Sequence, residues 1–383
     1  MSVAKNHPKR IVIAGAGAAG LTSAFVLAAR GAQVTVLDAG EAGRGALWAS
    51  GGMLAAGFET TFELDVPSGD RARLFAALAA RCARIWPEFA AKVEQASGLD
   101  VGYRQIGALT PARDPAEADR LEAGLARAQV LGVEVERLSA AAMAVREPGL
   151  APARFALRFP MDGQVDNRRL AEALIAAVGR LGGAVRSGAG LAALDPERGE
   201  AVLSNGERLR ADSVILATGA AAGLAGLAGV SEIEPVKGQM LSLRAAPGTA
   251  PAQVIRALDV YLAAKPDGRV VIGATSEPGA ADLTTDSQAI EALKARAIAL
   301  APGLARAQEM ERWAGLRPRA RGGFPLVGLT PASTERLRII AAVGGYRNGV
   351  LLAPAMAEAA EAAVMGEDSA WPVAFMPNGS DQA

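Results

Sequence analysis

Two groups of residues in this chain have the types and spacing to do chemistry. Near its start, IVIAGAGAAG sets Gly15, Gly17 and Gly20 as G-x-G-x-x-G, and Asp38 closes QVTVLD at roughly the ~20-residue spacing of a ribose-binding acid. Gly15 suits a tight turn, Gly17 lets the backbone approach a pyrophosphate, and Gly20 lets a helix lie close on a strand. The positive end of that helix would face the phosphates, with Asp38 accepting hydrogen bonds from a ribose diol. This fingerprint does not separate FAD from NAD. In the later half, WAGLRP sets Arg317 among apolar residues and before a proline. A guanidinium there is either an ordinary surface charge or a planar fork matched to both oxygens of a carboxylate.

Composition narrows the chemistry further. With 383 residues, two domains are expected, and 51% hydrophobic against 21% charged residues describes a globular chain. Lys+Arg and Asp+Glu both number 40, so no general field invites nucleic acid or an anionic membrane, and a small molecule is the expected partner. The one histidine, His7, sits in a polar N-terminal tail, which excludes mechanisms needing an internal histidine base or ligand pair. The one cysteine, Cys82, can form no intrachain disulfide; no metal site is expected, and a reducing cytoplasm fits.

These residues need elements to hold them. Ile11–Ala29 carries no charge and could pass for a membrane span or signal core. Strand, glycine turn, helix and strand within so short a stretch instead make one βαβ unit with its helix buried on a parallel sheet. GEAGRGALWASGGMLAAGFE reads either as a plain connecting loop or as one closing on a flat ligand, and 68–97 as a helix breaking at Trp86-Pro87. VGYRQIGALTPA reads as a strand, PAEADRLEAGLARAQVLG as a helix ending at Gly132, and DNRRLAEALIAAVGRLGGAV as helix into strand. PVKGQMLSLR, DVYLAAKP and GRVVIGAT are hairpin-like strands, followed by the helix SQAIEALKARAIALAPG. The expected fold class is α/β, α+β overall: a Rossmann-like domain with a central parallel sheet, interleaved with a substrate domain on a mostly antiparallel sheet. The expected boundaries are 1-88, 161-228 and 316-383 for the first, and 89-160 and 229-315 for the second.

The chain resembles the glycine oxidase and D-amino acid oxidase family of FAD-dependent oxidoreductases. VIAGAGAAGLTSAFVLAARGAQVTVLD, SGGMLA, DGQVDNRRLAEAL, VILATGA, VYLAAKPDGRVVIGATSE, WAGLRPRARGGFPLVG and GGYRNGVLLAPA carry the likeness in order over nearly the whole length. The resemblance implies FAD, with Ala18, Ala19, Asp38 and Ala39 near the pyrophosphate and adenosine, and Val185 offering its backbone to the adenine. It implies that Ala46, Leu47, Gly51, Gly52 and Met53 line the flavin, with Gly345, Tyr346, Arg347, Asn348, Gly349, Val350 and Leu351 closing over its pyrimidine end. By the same likeness Arg317 clamps a substrate carboxylate, Tyr261 adds a hydrogen bond there, and Arg347 is a second positive group. The implied reaction is oxidative deamination of glycine or a small D- or N-methyl amino acid by hydride transfer to the flavin. Its products would be an imine, then an oxo acid and ammonia, with hydrogen peroxide from O2 and a place in thiamine biosynthesis. Ser276 stands where the family pattern has a larger methionine, which puts glycine in doubt as the preferred substrate. A dehydrogenase using another acceptor and a non-catalytic flavin-binding subunit remain open, as does a homo-oligomer.

Overall fold

The computed structural model describes residues 8–63, 69–221 and 233–377; His7 lies outside them. The N-terminal unit forms as its glycines dictate: strand β1 (Arg10–Ala14), helix α1 (Ala18–Ala29) and strand β2 (Gln33–Leu37). β1 pairs in parallel with β2 on one side and with strand Ser213–Leu216 on the other. The sheet runs Leu326–Leu329, Arg338–Val343, Ser213–Leu216, β1, β2, Ala184–Arg186, all parallel except the first edge strand. Ile11, Val12, Ile13 and Ala14 are all buried, as a strand covered on both faces requires, and this explains the charge-free run. Among the described residues no helix is long and apolar enough to cross a membrane.

The second large sheet is mostly antiparallel. Strand Ile233–Arg244 pairs along its length with Gln308–Ala320 and, on its other edge, with Arg269–Gly273. Tyr261–Ala264, Val254–Arg256, Ala108–Ala112, Phe155–Phe159 and Glu136–Ser139 continue it, with one parallel contact between Val254–Arg256 and Ala108–Ala112. The boundary expected between 315 and 316 falls inside Gln308–Ala320, so Arg317 hangs from this sheet. The helix ending at Gly132 forms as read, capped by Asp114 at its start and by left-handed Gly132 (φ 70°) at its end.

One expectation fails. The helix Asp70–Ser97 runs through Pro87 without a break. An interior proline costs a helix about 3 kcal/mol, but here the packing of the flanking side chains keeps the helix continuous. Trp86 and Phe89 are buried, the Trp86 indole donates to Leu351 O at 2.9 Å, and its ring stacks on Tyr103. Burying two such aromatics, at ~1.5–3 kcal/mol each, offsets the missing hydrogen bond.

Candidate active site

A cavity of about 830 Å³ opens between the two sheets, towards the large end of the ~300–1,000 Å³ typical of ligand sites. Its first end is the glycine turn. Gly15 has φ 105°, and a Cβ there would lie 2.2 Å from Ala217 O; a Cβ on Gly20 would lie 1.8 Å from Gly15 O. Gly17 caps α1 with open space beside it, so its backbone is accessible to a ligand. Asp38 lines this end, but its carboxylate already accepts from Ala16 N (2.8 Å) and Gly40 N (2.9 Å). It thus braces the glycine turn and keeps its remaining lone pairs for a ribose.

The middle wall is the segment from Ala46 to Met53, which forms a short helix (Ala46–Ala49) and a short strand (Met53–Leu54) rather than a plain loop. Side chains from elsewhere hold its carbonyls. Asn167 Nδ2 donates to Leu47 O and Trp48 O, and Trp313 Nε1 donates to Ala49 O. Lys265 Nζ donates to Gly51 O (2.7 Å) and Val165 O (2.9 Å). Burial pulls the Lys265 amine down to about 7, partly countered by Asp166; even the neutral amine keeps two hydrogens for its two acceptors. Glycine again allows close approach: a Cβ on Gly315 would lie 2.4 Å from the Ala49 methyl.

The far end is ionic. Arg317 Nη1 donates to Thr275 O at 3.2 Å, and among the described residues no carboxylate lies within ion-pair distance of this guanidinium. Burial lowers its pKa, and the neighbouring Arg347 cation lowers it further. Its fork lies over Gly238, where a Cβ would come within 2.4 Å of Nη2. Tyr261 is buried, with its hydroxyl pKa raised by burial and drawn back by the Arg317 charge. Gly51 and Gly273 make room for its ring. Arg347, the second positive group, is itself paired: its Nη2 meets Glu63 Oε2 at 3.2 Å, and its Nε donates to Tyr346 Oη. Arg256, buried on the strand beside Tyr261, pairs with Glu59 at 3.0 Å and Glu63 at 3.4 Å.

Of the residues singled out from sequence, Gly15, Gly17, Ala18, Ala19, Asp38, Ala46, Leu47, Gly51, Gly52 and Met53 line the cavity. So do Tyr261, Arg317, Gly345, Tyr346, Arg347, Gly349 and Val350. Gly20 packs α1 on its turn instead. Ala39 and Val185 lie off the cavity wall, Val185 paired with Val36 in the edge strand. Asn348 lines a neighbouring cavity of about 630 Å³, and Leu351 faces the core, where its carbonyl takes the Trp86 hydrogen bond. Glu59, Glu63, Arg256, Lys265, Asn167 and Gly238 escaped sequence reasoning, because nothing local marks partners so distant along the chain.

A glycine turn at the carboxyl edge of a parallel sheet, joined by one cavity to a cation on a second sheet, is the arrangement of a dinucleotide-dependent oxidoreductase. More narrowly, the chain belongs to the FAD dependent oxidoreductase family, whose profile matches residues 10–363. It is 31% identical to glycine oxidase of Geobacillus kaustophilus, over 91% of this chain and 90% of that one. The crystal structure of glycine oxidase from that organism covers 97% of this chain and 99% of its own, with a TM-score of 0.86 and 30% identity. Iminodiacetate oxidase from Chelativorans sp. BNC1 matches 96% of this chain and 99% of its own, at a TM-score of 0.82 and 29% identity. The bifunctional protein ThiO/ThiG of Synechocystis is 33% identical over 90% of this chain, which spans 50% of its length. The residues present fit FAD: the unobstructed Gly17 backbone suits a pyrophosphate, and the wall from Ala46 to Met53 is firmly held along the cavity's length.

Proposed function

We propose that the protein oxidises glycine or a small D- or N-methyl amino acid to an imine, which hydrolyses to an oxo acid and ammonia, with O2 reduced to hydrogen peroxide. The observation that carries this reading is Arg317, a guanidinium facing the cavity with no carboxylate of its own among the described residues. Gly15, Gly17 and Asp38 would hold the nucleotide of FAD, and Ala46 to Met53 and Gly345 to Val350 its flavin. When bound, FAD supplies the acceptor for the hydride leaving the substrate's Cα and passes the electrons to oxygen.

The chain's own residues supply orientation. Arg317 takes both carboxylate oxygens, and the Tyr261 hydroxyl, which donates to no acceptor among the described residues, adds a third hydrogen bond. Clamping the acid end leaves the Cα–H one rotation to settle. A substrate that arrives as the neutral amine expels the hydride with its nitrogen lone pair and then gives the iminium proton to water, so the chain need supply no general base. Burial keeps Tyr261 protonated and able to donate through neutral pH. Ser276 lines the cavity, so the small pocket has room for a methyl on Cα or nitrogen, which favours sarcosine or D-alanine beside glycine. The units 1-88, 161-228 and 316-383 for FAD, and 89-160 and 229-315 for substrate, belong to the same reading, as do a cytoplasmic setting and supply of the imine to thiamine biosynthesis.

The test is anaerobic bleaching of the flavin in purified protein by glycine, sarcosine and D-alanine, followed by peroxide and dye assays. Bleaching and peroxide are expected; bleaching by none of the three would overturn the reading. Dye reduction without oxygen uptake would make the protein a dehydrogenase.

A further inference from the structure

The charges at the substrate end add to a definite total. Among the described residues, the buried and half-buried ions lining that end are Arg256, Arg317, Arg347, Glu59 and Glu63. Glu59 and Glu63 stand one turn apart on the short helical segment Glu59–Glu63. Glu59 holds Arg256 at 3.0 Å, and Glu63 holds both Arg256 (3.4 Å) and Arg347 (3.2 Å). Three cations against two anions leave one positive charge, and the pairing leaves it on Arg317. Two further charges on the same wall, Arg120 and Asp259, are exposed and of opposite sign.

We propose that Glu63 sets the charge of the substrate: by masking Arg347 it restricts the site to amino acids with a single carboxylate. This rests on the amino acid oxidase reading and deepens it. A first carboxylate takes Arg317. A second, carried on the amine or the side chain, finds the remaining cations already paired and meets the Glu63 carboxylate instead, and like-charge juxtaposition in a half-buried site opposes it strongly. Glu63 is placed to act so because its two oxygens divide between two arginines from different strands and turns, Oε1 towards Arg256 and Oε2 towards Arg347. Removing its charge while keeping its shape frees Arg347 as a second carboxylate site.

The experiment compares the wild-type holoenzyme with Glu63→Gln and with the charge-conserving Glu63→Asp. Flavin reduction gives kcat/KM for sarcosine and for iminodiacetate, which differ by one carboxylate. Flavin absorbance gives the dissociation constants of acetate and malonate without any turnover. Wild type should favour sarcosine and acetate. Glu63→Gln should raise the iminodiacetate-to-sarcosine ratio and tighten malonate relative to acetate, each by at least about tenfold, while Glu63→Asp keeps the wild-type ratios. Unchanged ratios in Glu63→Gln would overturn the proposal, as would a wild type that already prefers iminodiacetate or malonate; the second outcome is read on the native protein alone. Sarcosine turnover with unchanged ratios defeats only this inference, whereas failure of every amine to reduce the flavin defeats the amino acid oxidase reading, and the acetate and malonate constants still decide the role of Glu63.

Discussion

At the scale of single residues, what shapes the far end of the cavity is as much absence as presence. Arg317 can lie where it does because position 238 lacks a side chain, and Gly238→Ala would push a methyl to within 2.4–2.6 Å of the guanidinium. The displaced fork should grip a carboxylate poorly. KM for the amino acid is expected to rise at least about tenfold, with FAD content unchanged, as steady-state kinetics and the flavin spectrum of the purified variant would show. The sequence made Arg317 and Tyr261 legible through the company they keep in family-like stretches. It gave no hint of Gly238, since a glycine inside a strand does not announce which distant side chain presses against it. Nor did it reveal that Arg347 has Glu63 as partner, since an ion pair between residues 63 and 347 leaves no local pattern.

At the scale of elements, the wall from Ala46 to Met53 owes its position to borrowed donors. Lys265→Met keeps the packing but strands Gly51 O and Val165 O, two buried acceptors worth about 1–3 kcal/mol each when unmet. FAD should then bind about tenfold or more weakly with altered visible circular dichroism, and an FAD titration would check it. A second buried group steadies the entry to Glu59–Glu63: Asp162 accepts from Gly57 N and Phe58 N, and burial raises its carboxyl to about 7. Because the folded state holds this proton more tightly than the unfolded one, the group's contribution to stability is full below about pH 4 and is lost as pH rises through 7. The gap in melting temperature between wild type and Asp162→Asn should therefore move against wild type between pH 4 and pH 8. Periodicity and capping made most helices and strands readable, including the Asp114 start and Gly132 stop. Pro87 misled because a proline's local cost is visible in sequence, while the packing of Trp86 on Tyr103 and its bond to Leu351 O are not.

At the scale of the whole molecule, two sheets share one ligand cavity, so the ligand contributes to holding them together. Adding FAD to apoprotein at a hundredfold excess over its dissociation constant should stabilise the fold by about 2.7 kcal/mol, visible as a concentration-dependent rise in melting temperature. No such rise would mean that the cavity is not the flavin's. The pairing of a parallel sheet with an antiparallel one was foreseeable from strand spacing, whereas the crossing of Gln308–Ala320 past residue 315 was not, because an unbroken β-pattern does not show which sheet it joins. That strand carries Trp313, which steadies the wall at Ala49, and Arg317 four residues on, both on one face of the pleat. It works as a ruler. The span between the cofactor's rest and the acid's anchor is graduated by extended backbone of about 3.3 Å per residue and cannot stretch to suit the guest. β-Alanine, one methylene longer than glycine, would seat its acid group correctly and still offer the wrong carbon.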